Sequence, residues 1–200
     1  MKKFSIIGAA FILLYSCNNQ SAEKINTPQT EIHKIDSFFP VTSYIKGQIL
    51  VLDSLPVTPL QITTIDKKTD SAWLTKEKSK LFFAPFLSPV IEETNLTSLF
   101  RQTVFNDQTL NAITFTYDPV AKIPDSLSLR SWSVYVNPET GSVSKVYLVK
   151  QFVENGKTFT QQLTWQSNKS AKINTILNEA GGEMKLLKEV SLIWNFSPAR

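Results

Sequence analysis

Among 200 residues there is one thiol, Cys17, and one imidazole, His33. A thiolate can attack a carbonyl or take up an acyl group, and an imidazole can relay protons near neutral pH. Nucleophilic catalysis with a His base needs both partners held within hydrogen-bond reach. His33 ends the stretch NNQSAEKINTPQTEIH, polar and without apolar periodicity, which cannot hold a base in place. Single Cys and His residues also exclude a disulfide framework, a Cys/His zinc site and c-type haem attachment. No G-x-S-x-G, P-loop, G-x-G-x-x-G or H-E-x-x-H pattern occurs. A carboxylate pair could still do glycosidase chemistry. Glu92 and Glu93, however, are adjacent and point apart, and Asp107, Asp118 and Asp125 sit beside predicted turns, where Asp bonds its own backbone. There is no calcium loop of alternating acids around a central Gly. The chain is therefore expected not to be an enzyme, with no catalytic residue, cofactor or metal.

The composition is 42% apolar and 19% charged, with 13 Phe, 5 Tyr and 4 Trp, which supplies enough apolar area for one core. Phe38, Val41, Ile45, Ile49 and Leu52 recur at helical spacing and predict a helix from about Phe38 to Asp53, with Asp36 or Ser37 as cap. Pro56 and Pro59 end it. A short strand over 60–65 follows, then a turn at Asp66-Lys67-Lys68-Thr69-Asp70. A second helix, capped by Asp70 or Ser71, is expected to carry Trp73, Leu74, Glu77, Leu81 and Phe82 to about Ala84. Pro85 and Pro89 break the run FFAPFLSP, and 91–100 could add a helical turn or two.

After Phe100 the apolar period changes to two, as in Ile113, Phe115 and Tyr117, or Trp132, Val134 and Val136. Asn155-Gly156 lies between two alternating runs, which predicts a tight hairpin over 143–166. Pairing Glu154 with Lys157 sets Phe152 opposite Phe159, Leu148 opposite Leu163 and Val146 opposite Trp165. Thr158, Thr160, Gln162 and Thr164 then face the other way. Lys150 and Gln161 interrupt the apolar face. Ile173 to Leu177 and Met184 to Phe196 read as further strands, the latter with Leu186, Val190, Leu192, Trp194 and Phe196 on one side. The expected fold class is α+β: two N-terminal helices packed on one face of an antiparallel meander of about six strands. With no linker in sight, 34–200 reads as a single domain.

Ahead of it, Met1-Lys2-Lys3 and the apolar run Phe4 to Tyr15 have the charged and greasy parts of a secretory signal, too short to span a bilayer. Removing Lys2 and Lys3 lowers the formal charge from +4 to +2. The remaining cations are scattered, so no nucleic-acid partner is expected. Leu14-Tyr15-Ser16-Cys17 resembles the bacterial lipobox, and the composition resembles lipoproteins of Bacteroidota. That resemblance implies residues 1–16 as signal peptide and Cys17 as the lipid attachment site and first mature residue, with 17–33 as a flexible tether. The partner it implies is the membrane, reached through the acylated Cys17. Asn18 in place of an Asp implies the outer membrane, and the lack of an acidic cluster after the Cys implies the periplasm-facing side.

Trp73, Trp132, Trp165 and Trp194 each fall within a periodic apolar face and are expected in the core, while Tyr135, Tyr147 and Phe82-Phe83 are candidates for an exposed side. The function expected is a non-catalytic, membrane-anchored binding module of the cell envelope, for a protein or a lipophilic ligand. The segment YVNPETGSVSKVYLVKQFVENGKTFTQQLTW is also similar to the strand-turn-strand region of the LolA and LolB lipoprotein carriers. That likeness implies the alternative, a lipid or lipoprotein carrier in which a half-open sheet wraps helices around an apolar cavity. A small PepSY-like or cystatin-like helix-on-sheet module fits the same layout.

Overall fold

Asp66 and Lys67 both adopt left-handed backbone, with φ of 46° and 66°. Two such residues in succession close a tight hairpin, and this changes the reading of everything around them. The computed structural model describes residues 37–179 and 181–197, so the signal segment, the whole of the expected tether with Cys17 and His33, and Asp36 lie outside the described residues. Strand β1 (Leu60–Ile65) turns through Asp66-Lys67 into β2 (Lys68–Trp73). The stretch that spacing assigned to the start of a second helix is thus an edge strand, exposed along its whole length. Helix α2 spans only Lys76–Phe83, where the Thr75 side chain accepts from the Lys78 amide at 3.4 Å.

The expected two-helix, six-strand layout is accordingly wrong. Seven further strands follow: β3 (Phe100–Asp107), β4 (Ala112–Pro119), β5 (Leu129–Val136), β6 (Val143–Glu154), β7 (Lys157–Gln166), β8 (Ser170–Asn178) and β9 (Met184–Ile193). All nine join one antiparallel sheet in the order β2-β1-β9-β8-β7-β6-β5-β4-β3. Helix α1 (Val41–Ser54) and α2 are short beside it.

The β6–β7 hairpin has the register that its sequence predicts, with Glu154 opposite Lys157, Phe152 opposite Phe159, Leu148 opposite Leu163 and Val146 opposite Trp165. Asn155 and Gly156 supply the positive φ values of 51° and 73°. Apolar side chains of one sheet face form the core: Trp132, Val134, Val146, Leu163 and Trp165 are all fully buried.

Helix α1 meets the sheet where β6 begins and β7 ends, through Tyr44 and Gln48. Near its start, Phe38 packs edge-on against Tyr117 and Trp132, at 5.0 and 5.8 Å between centroids. The Tyr44 hydroxyl reaches Ser167 at 2.6 Å and donates to the Val143 carbonyl at 3.3 Å. The Asn168 amide donates to Gln48 at 3.1 Å. The helix starts after Pro40 with no side-chain cap, so Ser37 does not play the role expected of it. Thr42, which is not among the residues that make the apolar spacing of this helix, is nonetheless fully buried, and its hydroxyl accepts from the Ile91 amide at 2.8 Å.

The return stretch lies alongside. α2 and the 3-10 turn Ala84–Leu87 bring Phe83 and Phe86 onto Trp165, at 5.3 and 5.6 Å. Trp194 completes this cluster, 5.3 Å from Trp165 and 6.0 Å from Phe83.

Candidate functional site

Two features formed by the helices and the sheet could do more than hold the fold: a buried lysine and an open groove. Lys150 is the interruption that the alternating pattern of β6 contains. It is 5% exposed, and its Nζ donates to the backbone carbonyls of Pro85 and Ser88. Pro85 and Ser88 flank the end of the 3-10 turn, so the ammonium group pins the FFAPFLSP segment to the sheet. Gln161, its partner across the hairpin, is only half-buried.

Burial pushes the Lys150 ammonium down to about 8. The sign of the consequence follows from the lowered value. Below about pH 8 both folded and unfolded chains carry the charge, and the folded chain bears its full desolvation cost. Between about 8 and 10.5 the folded chain releases a proton that the unfolded chain keeps, so stability rises with pH across that window. The neutral amine still has two N–H groups for the two carbonyls. Urea unfolding should therefore show the native chain gaining roughly 1–2 kcal/mol from pH 7.5 to 9.5 relative to Lys150→Met. Burial also lowers the Lys145 ammonium, against the pull of Asp107. That contribution is common to both chains and cancels in the comparison.

The groove lies between α1 and the α2 segment and has a volume of about 450 Å³. Ile49, Leu50, Phe83 and Leu87 make its apolar lining, and Lys46, Asp53 and Lys80 supply charge. Lys80 Nζ stands 3.7 Å from the Asp53 carboxylate, and Lys76 Nζ donates to the Asp53 carbonyl. Its size is that of an ordinary small-molecule site. A second, more polar depression of about 580 Å³ opens by the β6–β7 turn, between Gln151, Lys157 and Glu179.

The structure separates the aromatic residues that spacing grouped together. Trp132, Trp165 and Trp194 are core, but Trp73, the last residue of edge strand β2, is 62% exposed. Phe196 lies beyond the end of β9 and is also exposed. A bulge between Thr175 and Ile176 sets Leu186 opposite Ile176, which breaks the single apolar side expected of β9 and leaves Leu186 exposed. Of the residues considered for an exposed side, Phe83 is buried and Phe82 half-buried. Tyr135 and Tyr147 lie on the sheet face away from the helices, where Lys145 sits 3.7 Å above the Tyr135 ring.

Glu92 accepts from the Ser43 hydroxyl at 3.0 Å, while Glu93 offers only its carbonyl, to the Phe38 amide at 2.7 Å. Asp107 accepts from the amides of Thr109 and Leu110 at 2.9 and 3.0 Å, a local turn role. Among the described residues no group of three or more His, Cys, Asp or Glu could hold a metal ion, and no helix is long and apolar enough to cross a membrane. Compared with known proteins, the chain matches no family model, no curated protein and no solved structure.

Proposed function

We propose that this chain is a lipid-anchored, non-catalytic binding module of the cell envelope, attached through Cys17 to the outer membrane on its periplasmic side. Its binding surface is the open exterior, where the groove between α1 and α2 offers an apolar floor with a charged rim. The observation that carries this reading is the filling of the interior. Where a carrier would hold its ligand, between helices and sheet, Trp165 is fully buried among Phe83, Phe86 and Trp194, and Trp132 among Phe38, Phe100 and Tyr117. Close-packed aromatics leave an acyl chain no room there without rearrangement of the helix layer.

The groove itself favours a second reading, the lipid or lipoprotein carrier, because Ile49, Leu50, Phe83 and Leu87 could line one acyl chain. Native mass spectrometry of the chain starting at Ser21 separates the two. A binding module gives the mass of the polypeptide alone. Stoichiometric co-purified lipid would overturn that reading in favour of the carrier.

A further inference from the structure

We infer that the corner of the fold where α1 ends is a bilayer-docking surface, which lays the domain against the headgroups of the membrane that holds Cys17. The inference rests on the lipid-anchored reading and adds to it an orientation.

The solvent side of α1 runs through Ser43, Lys46, Gly47, Leu50, Val51 and Ser54, at the three- and four-residue steps of one helical stripe. It is opposite the buried Ile45 and Leu52, yet its last turn is apolar: Leu50 is 69% exposed and Val51 49%. The patch continues onto the sheet. Val51 and Leu55 share a depression with Trp194 and Asn195. The next residue, Phe196, packs edge-on against Trp73 at 6.1 Å, and both rings face solvent. An aliphatic helix end thus adjoins an exposed aromatic pair.

Two features identify the occupant as a phospholipid surface. The first is charge. Lys46 borders the groove beside Leu50, and α2 adds Lys76, Lys78 and Lys80, all exposed, against Asp53 and Glu77. Lysines around exposed Leu, Trp and Phe make the composition of a surface that sits at an anionic headgroup layer. The second is reach. Asn18 to Asp36 are 19 residues between the acylated Cys and the start of the described domain. A chain of that length spans at most roughly 65 Å, and α1 carries its far end about 21 Å from its start. The corner can therefore meet the bilayer, and the anchor keeps the two at an effective concentration near the millimolar range, so weak affinity suffices.

The test uses the full acylated chain in vesicles of phosphatidylethanolamine and phosphatidylglycerol, with and without bromine on the acyl chains. Co-flotation reports the anchor, and bromine quenching of Trp73 reports docking, since the other three Trp residues are buried. Brominated vesicles should remove roughly half or more of the emission that Trp73→Phe removes, because docked side chains sit at the headgroup–acyl boundary. Leu50→Glu with Val51→Glu should restore it at an unchanged melting temperature. Lys46→Glu with Lys78→Glu should weaken it on anionic vesicles only. Equal emission from plain and brominated vesicles, with the protein still floating, overturns docking and leaves the anchor standing. A chain that does not float overturns both. Shielding of Trp73 that is independent of bromine and accompanied by a doubled mass assigns the corner to a second copy of the chain, and so also overturns the proposal.

Discussion

Trp165→Ala should cost about 3–5 kcal/mol, the range for removing a fully buried indole. For a domain of this size that lowers the melting temperature by roughly 10 °C or more. Trp165 is the residue on which the α2 segment rests: Phe83, Phe86 and Trp194 all pack on it, within 5.6 Å of its ring centre. Its loss should therefore loosen the helix layer selectively, and hydrogen exchange should quicken over residues 76–89 before it does in β6 and β7. Trp165→Phe should cost far less, about 1–2 kcal/mol, for a reason beyond its smaller change in volume. Trp165 Nε1 is buried without an acceptor. A buried unpaired donor carries a desolvation penalty, and phenylalanine removes it. Equal losses for the Ala and Phe variants would mean that the indole nitrogen has a partner and that the ring is not what seats α2.

What could be read from the sequence divides along the same physical lines. The β6–β7 hairpin was readable down to its pairing because one face is buried and the other is not, so period and turn chemistry agree on one register. The β2 edge strand was not. KTDSAW is exposed on both faces and has no alternation to betray it, whereas Trp73, Leu74, Glu77 and Leu81 happen to fit helical steps. What decides the matter is the left-handed backbone of Asp66 and Lys67, and a lysine at such a position gives little warning. Strand β3, the other edge of the sheet, alternates only at its start, where Phe100 and Gln102 are buried, and its Val104 and Phe105 are both exposed, so its second half has no period to read.

Of the candidate site, one residue was signalled and its purpose was not. Lys150 stands out as a charge on an apolar face. Its acceptors, however, are main-chain carbonyls more than 60 positions earlier, and a carbonyl has no sequence signature. The groove depends on where two helices lie relative to each other, which periodicity within each helix does not specify. Helical steps put Trp73 on an apolar face, and counting in twos does the same for Phe196. The first count fails because Trp73 belongs to a strand, the second because β9 is bulged and ends at Ile193.

Cys17→Ala should abolish palmitate incorporation altogether in metabolically labelled cells. The lipobox reading makes the thiol the acceptor of the diacyl group, and no other cysteine can replace it. The energetic stake is large. Each buried methylene contributes about 0.8 kcal/mol, and one myristoyl chain binds only reversibly, so two or three longer chains make the difference between transient and lasting attachment. Because cleavage in this class follows acylation, the variant should also keep its initiator methionine, and its intact mass should be that of the unprocessed chain. The folded part should not change: among the described residues the core begins at Phe38, 21 positions later, which packs against Tyr117 and Trp132. A far-ultraviolet spectrum and melting temperature equal to those of the native chain would show that loss of label is loss of the acceptor and not of the fold. Label retained in the Ala variant, or a native protein whose Cys17 thiol is free, would remove the anchor, and with it the membrane that the corner of α1 is proposed to meet.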